Sequence, residues 1–175
     1  VMIKGEEEVD ENEWKEIEKG VNSAIDNLLQ FRLDEGSKLE EDITSRINQV
    51  SSLLKDIAPF AKNRINKIKE SLSEKLSEID SKNIDENRFE QELIYYLEKQ
   101  DITEEQVRLS THLNYFLETM KTDSPNGKKL GFISQEIGRE INTIGSKSSD
   151  AEMQKIVVQM KDELEKIKEQ LLNIL

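Results

Sequence analysis

Apolar residues recur along this chain every three or four positions and almost never every second one, so the pattern predicts helices and no sheet. A first stripe, Trp14, Ile17, Val21, Ile25 and Leu28, opens a helix near Asp10 or Asn12. Gly36 is either a turn or a tolerated weak point, since glycine costs a helix interior about 1 kcal/mol relative to alanine. A second stripe, Leu39, Ile43, Ile47, Val50, Leu54 and Ile57, alternates steps of three and four like a coiled-coil seam. Pro59 ends this helix, kinks it or opens the next one, and Ile65, Ile68, Leu72, Leu76 and Ile79 continue the periodicity.

Residues 81–84 read as a loop, after which Asp85 caps a helix to Gln100 with Phe89, Leu93, Tyr96 and Leu97 inward. Thr103 with Gln106 has the spacing of a capping box and precedes Val107, Leu109, Leu113, Phe116, Leu117 and Met120. Residues 122–126, with Pro125, form a loop. The next helix places Leu130, Ile133, Ile137 and Ile141 on one stripe, while Gln135, Glu136, Arg139, Glu140 and Asn142 cover its other faces. It is expected to end in a loop, Thr143-Ile144-Gly145-Ser146-Lys147, whose glycine, hydroxyl and ammonium suit an anion. Asp150 caps a last helix with a seam through Met153, Ile156 or Val157, Met160, Leu164, Ile167, Leu171 and Ile174.

The fold class is therefore all-α. Long amphipathic helices are expected to build an extended arm or hairpin over residues 1–84 and a helical bundle with a coiled-coil-like C-terminal helix over residues 85–175. The composition agrees, with two prolines, seven glycines and 35% charged residues among 175. Seams this long also suit pairing between copies of the chain. No cysteine is present, so disulfides, thiol nucleophiles and thiolate metal sites are excluded. No run of eighteen apolar residues occurs, so no membrane partner is expected. The net charge of −12 argues against polyanion binding by the whole surface. The distribution is uneven, since residues 123–149 hold four Lys/Arg against three Asp/Glu.

The single histidine, His112, follows Glu104 and Arg108 at spacings of four, with Glu105 beside them. An imidazole flanked by carboxylates suits a metal ligand or a general base, and the plain alternative is a salt-bridged surface helix. Asp101, Glu104, Glu105 and Glu92 form an acidic cluster able to hold a hard divalent cation through oxygen, or simply solvated. Glu136 and Glu140 are like charges at i,i+4, which favours an outside cation or arginine between them, though open solvent also tolerates the pair. No phosphate-binding glycine loop, dinucleotide fingerprint or zinc spacing occurs.

Several motifs in order carry more: Arg32, Glu35-Gly36 and Leu39; Glu90-Gln91-Glu92-Leu93; Asp101-Ile102, Glu104-Glu105, Arg108-Leu109 and His112-Leu113; Gly127-Lys128-Lys129-Leu130, Phe132, Gln135-Glu136, Arg139-Glu140, Asn142-Thr143 and Ser146-Lys147; and Lys161, Glu163-Leu164-Glu165, Glu169-Gln170 and Asn173-Ile174. Together they resemble the C-terminal region of the YicC/YloC family of bacterial endoribonucleases. Gly131 stands where that family usually has an acidic residue, and Gly138 where it usually has asparagine. The family's N-terminal α/β domain has no counterpart in this chain, which reads as a fragment that could be inactive alone.

The resemblance implies metal-dependent cleavage of RNA in a bacterial cytoplasm by a homo-oligomer, a hexamer by analogy. On this reading His112, Glu136 and Glu140 are catalytic. Glu104, Glu105, His112 and Glu136 hold a divalent cation, Mg or Mn. Arg108, Arg139, Lys128, Lys129 and Lys147 contact RNA. The competing expectation is a non-catalytic scaffold that oligomerises and recruits RNA or RNA-decay proteins, with Arg139 and Glu140 setting helix register.

Overall fold

The computed structural model describes residues 10–77, 86–122, 125–148 and 150–173, with backbone alone at 61–69, 72, 73, 75–77, 86–89 and 92. Five helices follow in order: α1 (Glu11–Ser77), α2 (Glu86–Gln100), α3 (Thr103–Met120), α4 (Gly127–Lys147) and α5 (Ala151–Leu171). No strand occurs among the described residues, as the periodicity requires. The expected stripe of Ile65 to Ile79, the loop at 81–84, the Asp85 cap, Phe89 and Ile174 lie outside the described residues or side chains.

α1 runs through every position at which the sequence offered a break. Gly36 lies inside α1 and is a tolerated weak point, not a turn, and a side chain there would meet open space. Pro59 lies inside the helix, where its missing N–H leaves the Lys55 carbonyl without an i+4 donor.

The chain forms two compact units, residues 1–41 and 42–175. The compact second unit thus begins at Asp42, inside the expected arm of residues 1–84, because the α1 seam from Ile43 is buried. In the first unit the apolar stripe is open to solvent, with Trp14 59% and Phe31 62% exposed. In the second unit Ile43, Ile47, Val50 and Ile57 of α1 are at most 1% exposed. Arg46 donates to Glu163 on α5 at 3.0 Å and to Asp42 one turn back at 2.8 Å. The two carboxylates, chiefly the Asp42 hydrogen bond, raise the Arg46 pKa further, so the guanidinium is a permanent cation of the α1–α5 contact.

α4 packs against both α3 and α5. Its seam, Ile137, Ile141 and Ile144, is fully buried. Each such side chain contributes roughly 1.5–3 kcal/mol through the apolar surface it removes from water. The α4–α5 approach is close because α4 presents glycines there. A Cβ at Gly138 would lie 3.2 Å from Leu164 Cδ2, and one at Gly145 would lie 3.0 Å from Val157 Cγ1.

Asp150 caps α5 as its position predicts, accepting from the amides of Glu152 and Met153 at 2.9 and 3.1 Å. The other two predicted ends differ. The capping box at Thr103 does not form; the Asp101 carboxylate accepts from the Thr103 amide and hydroxyl at 2.9 and 2.6 Å. The loop expected at residues 143–147 is the last turn of α4, where Ser146 Oγ donates to the Thr143 carbonyl and Gly145 packs beneath Val157. The packing of α5 onto that turn outweighs the local preference of Gly and Ser for a loop.

Candidate functional site

α3 and α4 run antiparallel, joined at three levels by side chains of opposite character. Near the start of α3, Lys147 Nζ holds the Glu105 carboxylate at 2.8 Å and donates to the Asp101 carbonyl at 2.9 Å. In the middle, Arg108 pairs with Glu104 on its own helix and reaches Glu140 on α4 at 4.0 Å. Toward the end of α3, the Lys129 ammonium lies 4.8 Å from the centre of the Tyr115 ring. Arg108 and Tyr115 of α3 thus stand opposite Glu140 and Lys129 of α4, with His112 between the first two in sequence and Glu136 between the second two.

Burial separates these groups by role. The Glu105 side chain is 7% exposed, and its second oxygen is buried without a hydrogen-bond partner. Such a carboxylate needs the Lys147 cation, because an unpaired buried charge is costly. Lys147 is thus a clamp between α3 and α4, where the sequence suggested a phosphate contact, and Glu105 is its counter-ion, where the sequence suggested a metal ligand. Asp101 is likewise a helix-start acceptor. The Thr103 hydroxyl and amide, helped by the Lys147 charge, hold its pKa below the usual carboxylate range.

The remaining groups face water in graded fashion. Glu140 has an 11% exposed side chain, with Arg108 as its one ion-pair partner among the described residues and at a distance too long for a hydrogen bond. Glu136 pairs with Arg139 at 2.9 Å within α4, both open to solvent. The like-charged pair Glu136 and Glu140 is thereby relieved by two arginines, one from its own helix and one from α3. His112 is half-buried, with no hydrogen-bond or ion-pair partner among the described residues. Lys128 and Lys129 are exposed on the first turn of α4.

The proposed metal-ligand set does not gather. Among the described residues no three His, Asp or Glu side chains lie close enough to share a metal ion. Glu104 and Glu105 are neighbours in sequence but about 100° apart around α3. One turns out to Arg108 and the other in to Lys147. Sequence reasoning did not single out Tyr115, and quoted Phe132 only within a motif. Tyr115 and Phe132 are 44% and 57% exposed, off the apolar seams of their helices, and are the large aromatics exposed there.

The ionisable motifs of this all-α unit meet across one antiparallel helix pair, with basic side chains at one end. Over residues 57–175 the chain matches the family described as Endoribonuclease YicC-like, C-terminal, and it belongs to that family. It is 39% identical over 176 residues to a probable endoribonuclease YicC of Clostridioides difficile, covering 99% of this chain and 60% of that protein. It is 29% identical over 171 residues to a probable endoribonuclease YicC of Haemophilus influenzae, covering 95% of this chain and 59% of that protein. The chain thus spans about 60% of the length of the curated relatives it matches.

Proposed function

We propose that this chain is the helical part of an endoribonuclease that cleaves RNA phosphodiester bonds in bacterial cytoplasmic RNA turnover, with its reacting face on α3 and α4. The observation that carries the reading is Arg108 at 4.0 Å from Glu140, which brings the family motifs of two helices onto one face. Arg108 and Arg139 hold the scissile phosphate, a task suited to planar guanidinium forks. Lys128 and Lys129 add contacts along the strand that weaken with salt. His112 moves a proton at its ring nitrogen, imidazole being the side chain best matched to proton transfer near neutral pH. Glu140, released when phosphate takes Arg108, and the neighbouring Glu136 orient the attacking oxygen.

A divalent ion belongs to the expectation raised by the family resemblance. The described carboxylates and His112 of one chain do not fit a closed site for it, so no step here passes through one.

The test is cleavage of a structured RNA by the purified protein, with and without chelator, comparing wild type with His112→Ala and Glu140→Gln. The reading expects wild-type cleavage and its loss in both variants. Wild-type rates from both folded variants would sink the role assignment. RNA binding without any product in the wild type would favour the scaffold, a reading supported by the ion pairs that already occupy Arg108, Arg139 and Lys147.

Homo-oligomerisation, a hexamer by analogy with the family, is part of the proposal. It is supported by the exposed stripe of Trp14, Ile17, Val21 and Leu28, which has the three-and-four spacing of a helix seam. A second copy of the chain, which carries the same stripe, is the occupant proposed for it. Val21→Glu is expected to lower the sedimentation mass, and an unchanged mass would refute this part.

A further inference from the structure

We propose that Tyr115 and Phe132, with the Lys129 ammonium, form a stacking platform for unpaired bases of single-stranded RNA. This rests on the nuclease reading above and adds the form of substrate it takes. Two large aromatic side chains are held open to water on α3 and α4, Tyr115 at 44% and Phe132 at 57% exposure, with the smaller Val107 of α3 also exposed. The two aromatics belong to one neighbourhood. Lys129 lies 4.8 Å from the Tyr115 ring centre, and Phe132 follows Lys129 by three residues, on the same face of α4.

An ammonium beside an aromatic ring supplies both things a nucleotide needs, a π surface for the base and a cation for the phosphate that follows it. Lys128, next to Lys129 on the first turn of α4, adds a second exposed cation at the same end. A second copy, with its net charge of −12, would also be drawn to these lysines, so the oligomeric state is read beside RNA binding in the experiment below. A duplex gains nothing from exposed rings, because its bases are already stacked on each other.

The platform also borders the reacting face. His112 precedes Tyr115 by three residues and Glu136 follows Phe132 by four, so each lies about one turn away. A base resting on Tyr115 or Phe132 would therefore set which phosphodiester of its own strand lies against Arg108. The consequence is a preference for scissile bonds flanked by unpaired nucleotides.

The experiment measures binding with 2′-O-methyl oligonucleotides, which resist cleavage, so that it stands apart from the activity assay. Anisotropy is recorded for a single-stranded 12-mer, its duplex and an abasic strand with the same phosphates. Wild type is expected to bind the single strand on the order of tenfold or more tighter than the abasic strand, as base–aromatic stacking allows. Tyr115→Leu with Phe132→Leu should remove most of that preference, leave abasic binding unchanged, and lose the quenching of a 2-aminopurine reporter. Tyr115→Phe and Val158→Ala, the latter an equally exposed apolar residue on α5, should change neither. A Leu pair that keeps the full preference overturns the proposal. So does a Leu pair that alters only the oligomeric state, which would mark the patch as a protein contact. Absence of RNA cleavage by wild type in the separate assay would count against the nuclease reading alone.

Discussion

Alanine at Gly145 and alanine at Gly131 are the same chemical change in the same helix and should have opposite effects. A Cβ at Gly131 meets nothing within 4 Å, so Gly131→Ala gains helix propensity and stabilises by about 0.5–1 kcal/mol. A Cβ at Gly145 lies 3.0 Å from Val157 Cγ1, inside normal contact, and Val157 is 1% exposed and β-branched. It has little freedom to turn away. Overpacking of this kind costs about 1–3 kcal/mol, which offsets or exceeds the propensity gain. The two variants should therefore differ by about 1–3 kcal/mol, or several degrees in Tm for a chain of this size. Urea unfolding followed by circular dichroism reads the difference. Adding Val157→Ala to Gly145→Ala should close much of the gap, because it removes the methyl that the new Cβ strikes. Equal shifts for Gly131→Ala and Gly145→Ala would refute the close approach of α4 and α5.

Lys147→Met should destabilise the fold by about 3 kcal/mol in urea titrations, since it leaves the buried Glu105 carboxylate unpaired, and Glu105→Gln in the same chain should recover part of the loss. Asp101 gives a pH dependence. Its folded pKa is lowered, chiefly by the Thr103 hydroxyl, so its contribution is present above the ordinary range near 3.8 and is lost as pH falls through the lowered value. Unfolding free energies measured across that acid range should decline less steeply in Asp101→Asn than in wild type.

Periodicity carried most of the fold. Ile43, Ile47, Val50, Leu54 and Ile57 read as a seam and are buried, because a helix repeating every 3.6 residues puts such positions on one side whatever lies opposite. The end of α4 was not legible, because Gly145 and Ser146 favour a loop locally and only Val157, from the next helix, explains the glycine. Ion pairing was legible within a helix and opaque between helices. Glu104 with Arg108 follows from spacing, whereas Lys147 with Glu105 and Arg46 with Glu163 join residues 42 and 117 positions apart. Glu104 and Glu105 diverge for the same reason, since sequence adjacency places carboxylates near one backbone, not in one direction.

The position of Arg108 between Glu104 and Glu140 bears on how affinity would respond to ionic strength. A free arginine that meets a phosphate lets the polymer shed a condensed cation, and that release makes binding fall with added salt. An arginine already holding carboxylates also loses their attraction as the phosphate arrives, and salt weakens that lost attraction as well. The two dependences oppose each other, so the logarithmic salt slope should be shallower than a count of cations on this face would give. Glu140→Gln should steepen it toward that count.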